Sequence, residues 1–190
     1  MNLFFDCEFT GLHKDTTLIS LGIVSDDGKK FYAEFTDYDE NQCDEWIKYN
    51  VVKNLYLGGM GDGVADLGEE PFGIMVRGDK KYIGKELKKW LSQFDSIQFV
   101  SDVCHYDFVL LIDLLTGGKT ALDLPDNISA VCHDINSDIA RHYGISDKEA
   151  FDKSREEIVS ELCGHEVEGT KHNALYDAEV IKAIYDEIKQ

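Results

Sequence analysis

Positive charge is scarce in this sequence, which holds 19 Lys and Arg against 37 Asp and Glu and has a formal net charge of −18 at pH 7. So acidic a chain repels nucleic acid at long range, which argues against strong binding of a duplex through a basic face. A polyanionic partner must therefore be attracted locally, by bound divalent cations or by the small lysine clusters at positions 29–30, 80–81 and 85–89.

Long apolar runs are absent as well, since the longest, residues 108–112, is far below the roughly 18 residues of a membrane span. No basic stretch followed by an apolar run opens the sequence, so no targeting segment is expected. The five cysteines are widely spaced and odd in number, which argues against a disulfide scaffold and indicates a reducing compartment. We expect a soluble, cytoplasmic protein with one domain over residues 1–190.

Apolar patterning predicts three antiparallel strands at the start of the chain, at residues 3–5, 17–25 and 30–35, with Asp26-Asp27-Gly28 as a hairpin turn. Further strands are predicted at 97–100 and 128–132. Helices are predicted at 43–55, 82–94, 106–115, 135–143, 147–163 and 173–189. Because strands and helices alternate after the first three strands, the pattern favours an α/β fold with a mixed five-stranded sheet flanked by helices.

The segment 58–78 is rich in glycine and contains Pro71. We predict a long loop there, and loops of this length inside a domain tend to be functional or mobile. A lid or substrate guide and a plain flexible insertion are equally good interpretations.

Two carboxylates follow the first apolar segment, in the triplet Asp6-Cys7-Glu8. Residues two apart in a strand point to the same face and lie about 6.6 Å apart. Two anions so placed repel each other unless a cation compensates them, and hard ions such as Mg²⁺ or Mn²⁺ suit oxygen ligands. A solvated strand edge is the alternative, because such a triplet is a weak signal by itself.

Asp107 is the candidate acid of a second segment. Its spacing to the apolar residues that follow places it on the apolar face of the predicted helix, with Leu110, Leu111, Leu114 and Leu115. An acid there is either an N-terminal cap or a metal ligand. Asp102 is a rival for the ligand role and Asp113 a weaker one, but the helical phase favours Asp107.

Asp177 repeats this placement in the last predicted helix, on the same face as Ile181, Ile184 and Ile188. One inward acid could be a buried salt bridge or a cap. Three separate segments that each direct an acid toward the sheet indicate a shared cation instead.

His172 lies five residues before Asp177, about 140° away on a helix, and is therefore expected in the turn before that helix. A surface or capping histidine is one interpretation. Next to a metal site, an imidazole with an unperturbed pKa of about 6.5 can accept a proton from water at neutral pH. Together, His172 and the four acids predict a two-metal phosphodiesterase site in which Asp6 bridges both ions.

Three segments resemble the motifs of the DnaQ-like (DEDDh) 3′-5′ exonuclease family of the ribonuclease H-like superfamily. FDCEFTGL at 5–12 is similar to the first motif, HYDF at 105–108 to the second, and HNALYDA at 172–178 to the third. The resemblance spans nearly the whole chain. Segments 18–24, 27–28 and 31–33 further resemble a small bacterial and phage branch of exoribonucleases (RNase AS-like), which favours RNA as substrate and leaves DNA open.

The resemblance implies a ribonuclease H-like fold and an enzyme that releases nucleoside 5′-monophosphates from single-stranded 3′ ends. It implies two Mg²⁺ or Mn²⁺ ions, with Asp6, Glu8, Asp107 and Asp177 as ligands and His172 as general base. A homodimer is expected on the resemblance alone. The alternative is a non-catalytic ribonuclease H-like module that binds or scaffolds protein partners, although all five catalytic-type residues are present.

The resemblance also implies that the segment after Glu8 binds the terminal nucleotide, through Phe9, Thr10, Gly11 and Leu12. Gly11 would allow close approach of the backbone, and Phe9 or Leu12 would pack against a base. Core packing is an equally good interpretation for Phe9 and Leu12.

Overall fold

The computed structural model describes residues 1–66 and 73–189. The strands within these ranges are β1 (Asn2–Phe9), β2 (Leu18–Ser25), β3 (Lys30–Phe35), β4 (Gly63–Asp66), β5 (Gly73–Gly78), β6 (Gln98–Ser101) and β7 (His133–Asp134). They form a seven-stranded sheet in the order β4-β5-β3-β2-β1-β6-β7. The pairs β1/β2, β2/β3 and β4/β5 are antiparallel, whereas β3/β5, β1/β6 and β6/β7 are parallel.

Helices cover both faces of this sheet. They are α1 (Glu45–Asn50), α2 (Lys80–Leu91), α3 (Cys104–Thr116), α4 (Ile135–Tyr143), α5 (Asp147–Asp152), α6 (Arg155–Cys163) and α7 (Ala174–Ile188). The apolar sides of α2 and α3 pack in one buried cluster, and those of α4, α6 and α7 pack in another. Among the helices within the described ranges, none combines the length with the apolar character that a membrane span requires.

β1 lies between these two layers, and its side chains alternate between them. Leu3 and Phe5 belong to the cluster of α2 and α3, whereas Phe4 belongs to that of α4, α6 and α7. Because the period of a strand is two residues, Asp6 and Glu8 share the face of Phe4. The two acids of the first motif are therefore directed toward the α7 side of the sheet.

The predicted α/β class with a mixed, helix-flanked sheet is confirmed, and the second and third strands lie where the alternation placed them. All eight residues of β2 are buried, which explains its nearly continuous apolar sequence. In the turn that follows, Gly28 has φ +84° and donates its N–H to the carbonyl oxygen of Ser25 at 2.9 Å. The hairpin thus uses the conformational freedom of glycine.

The sheet has seven strands in the described residues rather than the expected five, mainly because the segment 58–78 is not simply a loop. β4 and β5 form an antiparallel pair there, and β5 adds to β3 in parallel register from Lys30↔Gly73 to Phe35↔Gly78. β5 is a strand because it pairs with β3, although the glycine-rich local sequence does not predict a strand there. Pro71 lies outside the described residues.

Two later elements also differ from expectation. The strand predicted at 128–132 is reduced to one bridge between Ile97 and Ile128, and β7 begins only at His133. The helix predicted at 147–163 is divided into α5 and α6, because Ser154 caps α6 by accepting a hydrogen bond from the backbone N–H of Glu157. The helices predicted at 82–94, 106–115, 135–143 and 173–189 are present with small shifts at their ends.

The contact between α7 and the sheet depends on Gly22 in β2. A Cβ atom at this position would lie 2.2 Å from the carbonyl oxygen of Ala174, the first residue of α7. Gly22 is also the partner of Asp6 across the β1/β2 ladder. The absence of a side chain therefore lets the start of α7 approach the sheet next to Asp6.

We predict that Gly22→Ala lowers stability by about 1–3 kcal/mol, because the added methyl group must displace α7 or the sheet. The melting temperature should fall by roughly 2–10 °C, measured by differential scanning calorimetry. Gly58→Ala is the control, since a Cβ there would meet no atom within 4 Å. Equal melting temperatures for wild type and Gly22→Ala would contradict this account of the packing.

Candidate metal and active site

Asp107 is carried to the end of β1 by the connection between β6 and α3. α3 starts three residues after β6 ends, and Asp107 lies in its first turn with 0% exposure. Val103 is the N-cap residue, so Asp107 does not serve as the cap. Its Oδ2 accepts a hydrogen bond from Ser101 Oγ at 2.8 Å, whereas its Oδ1 is buried and has no hydrogen-bond partner among the described residues.

Asp177 comes from the first turn of α7, which begins against Gly22. Asn173 caps this helix, because its side-chain oxygen accepts hydrogen bonds from the backbone N–H groups of Leu175 and Tyr176. The cap and the close approach at Gly22 fix the start of α7. Asp177 is thereby held on the face of the sheet to which Asp6 and Glu8 point.

The structure brings all five predicted catalytic residues together, in two groups. Glu8, His172 and Asp177 each offer a ligand atom within 4.8 Å of the others, and so do Asp6, Asp102 and Asp107. Asp6 belongs to the second group, and the charges of Glu8 and Asp177 from the first group also act on it.

These carboxylates are held in a state that resists ionisation. Burial is the main cause that raises the pKa of Asp6, and the neighbouring acids raise it further. Burial also raises the pKa of Asp107, the pKa of Glu8 to about 8 and the pKa of Asp177 to about 7. Taking an anion out of water and placing it beside other anions both favour the protonated form.

This arrangement fits divalent cations of the hard, oxygen-binding type. The donors are carboxylate oxygens from three separate segments, and one of them, Asp107 Oδ1, is buried without a hydrogen bond. A buried charged oxygen without a partner is costly unless a cation compensates it. Mg²⁺ and Mn²⁺ prefer such ligands, so both fit the donor set.

His172 lies in the turn before α7, as its spacing to Asp177 predicts. Its φ of +62° is the only positive value at a non-glycine residue in the described part of the chain. Backbone conformations of this kind cost energy and are found preferentially at functional sites. Its Nδ1 lies 3.9 Å from Glu8 Oε1, and its ring meets that of Trp46 edge to face, with centroids 4.9 Å apart.

The protonation state of His172 follows from its surroundings. Burial lowers the pKa of its imidazole, and the positive charge of Lys171 lowers it further. The ring is therefore neutral at pH 7, the form that can accept a proton.

A buried polar network holds the turn that carries His172. The side-chain amide of Asn173 donates hydrogen bonds to the Tyr32 hydroxyl at 3.3 Å and to the carbonyl oxygen of Asn54 at 2.9 Å. The Tyr32 hydroxyl in turn donates to Glu34 Oε1 at 2.8 Å. The network ties His172 to β3, although sequence patterning did not single out any of these residues.

The four residues expected to bind the terminal nucleotide occupy different environments. Phe9 stacks on Tyr106, with ring centroids 5.5 Å apart, and Leu12 is 74% exposed at the mouth of the cleft. Gly11 has φ +154°, and a Cβ there would lie 3.0 Å from the His13 ring.

Thr10 differs from its neighbours, because its side chain is directed into the protein. It is only 1% exposed, and its hydroxyl hydrogen-bonds to Thr16, Thr17 and Gln42. The Thr10 side chain therefore shapes the loop after β1 and is not available to a ligand.

A cleft of about 710 Å³ opens over the acids, and it contains features that the sequence analysis missed. Its basic side chains are Lys153, Arg155 and Lys171, each paired with an acid. Trp46, 54% exposed, lines a second depression beside Leu12 and Glu8. The sequence around Trp46 did not indicate a role at the site, because α1 comes close to His172 only in the folded protein.

The lysine clusters at 29–30, 80–81 and 85–89 do not line this cleft. Several of their side chains pair with acids elsewhere, as in Lys30 with Glu179, Lys80 with Asp113 and Lys89 with Glu86. Attraction of a polyanion to the site must therefore come from bound cations and from the basic side chains of the cleft itself.

No protein-family model matches the chain. Among curated proteins, it is similar to the 3′-5′ exoribonuclease of Mycobacterium tuberculosis, in strains CDC 1551/Oshkosh and ATCC 25618/H37Rv. Identity is 29% over 124 residues, which cover 64% of this chain and 65% of that protein. The match thus spans a little less than two thirds of these relatives' length.

Solved structures show a closer likeness in shape than in sequence. The nuclease domain of 3′hExo, a DEDDh family member solved with rAMP, superimposes with a TM-score of 0.64 at 11% identity, covering 99% of this chain and 90% of that one. The fold of this chain is therefore similar to that of this nuclease domain. Pop2p of S. pombe, solved with Mg²⁺ and Mn²⁺, gives a TM-score of 0.63 at 16% identity, with 99% and 82% coverage. The resemblance to DEDDh exonucleases that the motifs indicated is confirmed.

We predict that Mn²⁺ binding releases protons and weakens as the pH falls below about 8. The raised pKa values of Glu8 (about 8) and Asp177 (about 7) leave both carboxyls partly protonated at neutral pH without a cation, and a cation must displace those protons. Isothermal titration in buffers of different ionisation enthalpy measures the released protons. Proton release near zero at pH 7, with an affinity constant between pH 6 and 9, would contradict this electrostatic account.

Proposed function

We propose that this protein is a metal-dependent 3′-5′ exonuclease that removes nucleoside 5′-monophosphates from single-stranded 3′ ends, with RNA favoured over DNA. The observation that carries the proposal is the meeting of Asp6, Glu8, Asp107 and Asp177 beside the neutral imidazole of His172. The DEDDh exonuclease fold supports the same reaction class.

Asp6, Glu8, Asp107 and Asp177 would hold two divalent cations, Mg²⁺ or Mn²⁺. When bound, such ions make water a better nucleophile and stabilise the negative charge that develops on a phosphodiester and its leaving oxygen. Asp6 is the best candidate for a ligand shared by both ions, because it belongs to one group and is close enough to Glu8 and Asp177 of the other for their charges to raise its pKa.

His172 would act as the general base. Its lowered pKa keeps the imidazole neutral, and its left-handed backbone, held by the Asn173 cap, directs the ring to the edge of the acid group. The ring would accept the proton of the attacking water as the new bond to phosphorus forms, while the bond from phosphorus to the 3′ oxygen of the preceding nucleotide breaks and the shortened strand leaves. Glu8, 3.9 Å from Nδ1, then faces the charged imidazolium.

The terminal nucleotide would lie between the loop after β1 and helix α1. Leu12 and Trp46 present exposed apolar surface on either side of the depression next to Glu8. Bases stack on aromatic rings regardless of sequence, so this pair would hold the terminal base while its phosphodiester faces the acids. Phe9, stacked on Tyr106, supports the inner wall.

The preference for RNA rests on the curated relatives, which are named as 3′-5′ exoribonucleases. One structural neighbour is a 3′-exonuclease that recognises the histone mRNA stem-loop. It is 10% identical to this chain, with a TM-score of 0.64 and 62% of its length covered. Five free cysteines in the described residues fit a reducing compartment such as the cytoplasm. The homodimer stays a prediction.

The proposal predicts that the purified protein with Mg²⁺ or Mn²⁺ converts a 5′-labelled single strand into a descending ladder of products. Matched RNA and DNA oligonucleotides are digested side by side, and we expect faster digestion of RNA. Asp6→Asn should lower the rate by roughly 100-fold or more, because ligand loss weakens the metal site. No ladder with either nucleic acid and either metal would exclude the proposed activity.

His172→Asn is expected to lower the maximal rate by about 10²–10⁴, since asparagine accepts a left-handed backbone but cannot serve as the base. Its melting temperature and Mn²⁺ affinity should stay close to those of the wild type. His142→Asn, at an exposed position of α4, is the matched control and should retain full activity. Full activity of His172→Asn would remove the histidine from the mechanism.

Trp46→Ala should raise KM for an oligonucleotide by about 5- to 150-fold, the equivalent of roughly 1–3 kcal/mol for one stacked base. Trp46→Phe should restore most of the affinity because it keeps an aromatic face. Tyr49→Ala removes another exposed aromatic ring of α1, away from the depression, and should leave KM unchanged. An unchanged KM for Trp46→Ala would mean that the base is bound elsewhere.

A further inference from the structure

Asp102 is a partly buried acid beside the catalytic residues, and the proposed mechanism gives it no role. It follows β6 directly, and one of its ligand atoms lies within 4.8 Å of those of Asp6 and Asp107. Its side chain is only 14% exposed. The sequence made Asp102 and Asp107 alternatives for one ligand position, whereas the structure places both in the same group.

Arg155, the first residue of α6, holds Asp102 in this position. Its Nε donates to Asp102 Oδ2 at 2.7 Å, and its Nη2 donates to Asn136 Oδ1 at 2.5 Å. Its Nη1 donates to the carbonyl oxygens of Ala150 and Lys153 at 2.9 and 3.0 Å. Four hydrogen bonds therefore fix the guanidinium, and the carboxylate is its single charged partner among them.

The backbone of Asp102 is fixed as well, because Asn136 Nδ2 donates to its carbonyl oxygen at 2.7 Å. Only Oδ2 of the carboxylate takes part in the ion pair with Arg155. Within the described ranges, Oδ1 has no hydrogen bond of its own. An acid with one oxygen anchored and the other free is suited to bind a cation through the free oxygen.

A second observation points to a cation at this group. In the part of the chain that the structure describes, Asp107 Oδ1 is buried with no hydrogen-bond partner, although the other oxygen of the same carboxylate accepts a hydrogen bond from Ser101. Buried polar atoms in native folds are normally compensated by a hydrogen bond or a cation, and a cation at this group would supply that compensation.

We infer that Asp102 is a fifth carboxylate of the metal centre, which binds a divalent cation together with Asp6 and Asp107, and that Arg155 is its positioning residue. The inference rests on the proposed function, because it assigns an additional ligand to the same centre. Arg155 offsets the charge of one acid, so the four remaining carboxylates still match two divalent cations.

The test is titration of Mn²⁺ into the full chain, followed by calorimetry and by the electron paramagnetic resonance signal of free Mn²⁺. Asp102→Asn should weaken binding at one site by about 10- to 100-fold, while its side-chain oxygen still accepts the hydrogen bond from Arg155. Asp95→Asn makes the same charge change at an exposed position and should bind Mn²⁺ like the wild type. Asp102→Asn that folds and binds Mn²⁺ within twofold of the wild type would overturn the inference.

The substitution Arg155→Lys tests whether Arg155 acts by positioning Asp102 or only by its positive charge. It keeps the positive charge but loses the fork of hydrogen bonds, so we expect Mn²⁺ affinity at the same site to fall about 10-fold. Unchanged Mn²⁺ affinity with a lower melting temperature would make the Arg155–Asp102 pair a structural anchor only.

Anomalous diffraction from wild-type crystals soaked in Mn²⁺ decides the question even if a variant does not fold. A manganese peak in contact with Asp102 supports the inference, and peaks near Asp6 without contact to Asp102 overturn it. Wild-type protein that binds no Mn²⁺ and digests no oligonucleotide would instead refute the proposed function. The two failures are therefore distinguishable.

Discussion

Mutual repulsion among closely placed, partly or fully buried carboxylates is the constraint on which the rest of this structure depends. Burial and neighbouring negative charge both raise the pKa of Asp6, and Glu8 and Asp177 reach pKa values of about 8 and 7. Such a cluster opposes its own folding at neutral pH unless protons or cations neutralise it. In a chain with a net charge of −18, bound divalent cations would, under the proposed function, also supply the attraction that a phosphodiester substrate needs.

The fold holds this cluster together through short connections and one close contact. β1 directs its two acids to the α7 side, the three-residue step from β6 to α3 delivers Asp107, and Gly22 lets α7 approach closely enough to deliver Asp177. The Asn173 cap and its bonds to Tyr32 and Asn54 then hold His172 in a left-handed conformation. Packing and hydrogen bonds at the sheet and the helix ends thus hold the acids together against their mutual repulsion.

Sequence patterning predicted those parts of the fold whose local signal agrees with their tertiary environment. β3 and α4 have the predicted bounds, because the apolar residues on which each prediction rested are buried in the structure. β5 was missed because it becomes a strand through pairing with β3, which its own sequence does not indicate. The strand predicted at 128–132 is too long, because only Ile128 forms a bridge, with Ile97 just before β6. Both errors reflect tertiary pairing, which overrides local β-propensity.

The sequence singled out the acids and the histidine that the structure brings together, because each is a polar residue on an apolar face or in a recognised motif. Trp46 and Arg155 were not, since nothing in the sequence near them shows which cleft they line. Thr10 lies in the motif but points inward, a direction that only the loop geometry reveals. The direction in which a loop side chain points is therefore the property of the site that the sequence predicts least well.

The claim that cations neutralise the buried acids is tested most directly by calorimetric melting of the wild-type protein at pH 8, with EDTA and with Mn²⁺. At a free Mn²⁺ concentration 100 times Kd, the account predicts about 2.7 kcal/mol of stabilisation per site. The melting temperature should then rise by roughly 5–10 °C for each site filled. The same melting temperature in EDTA and in saturating Mn²⁺ would contradict the account.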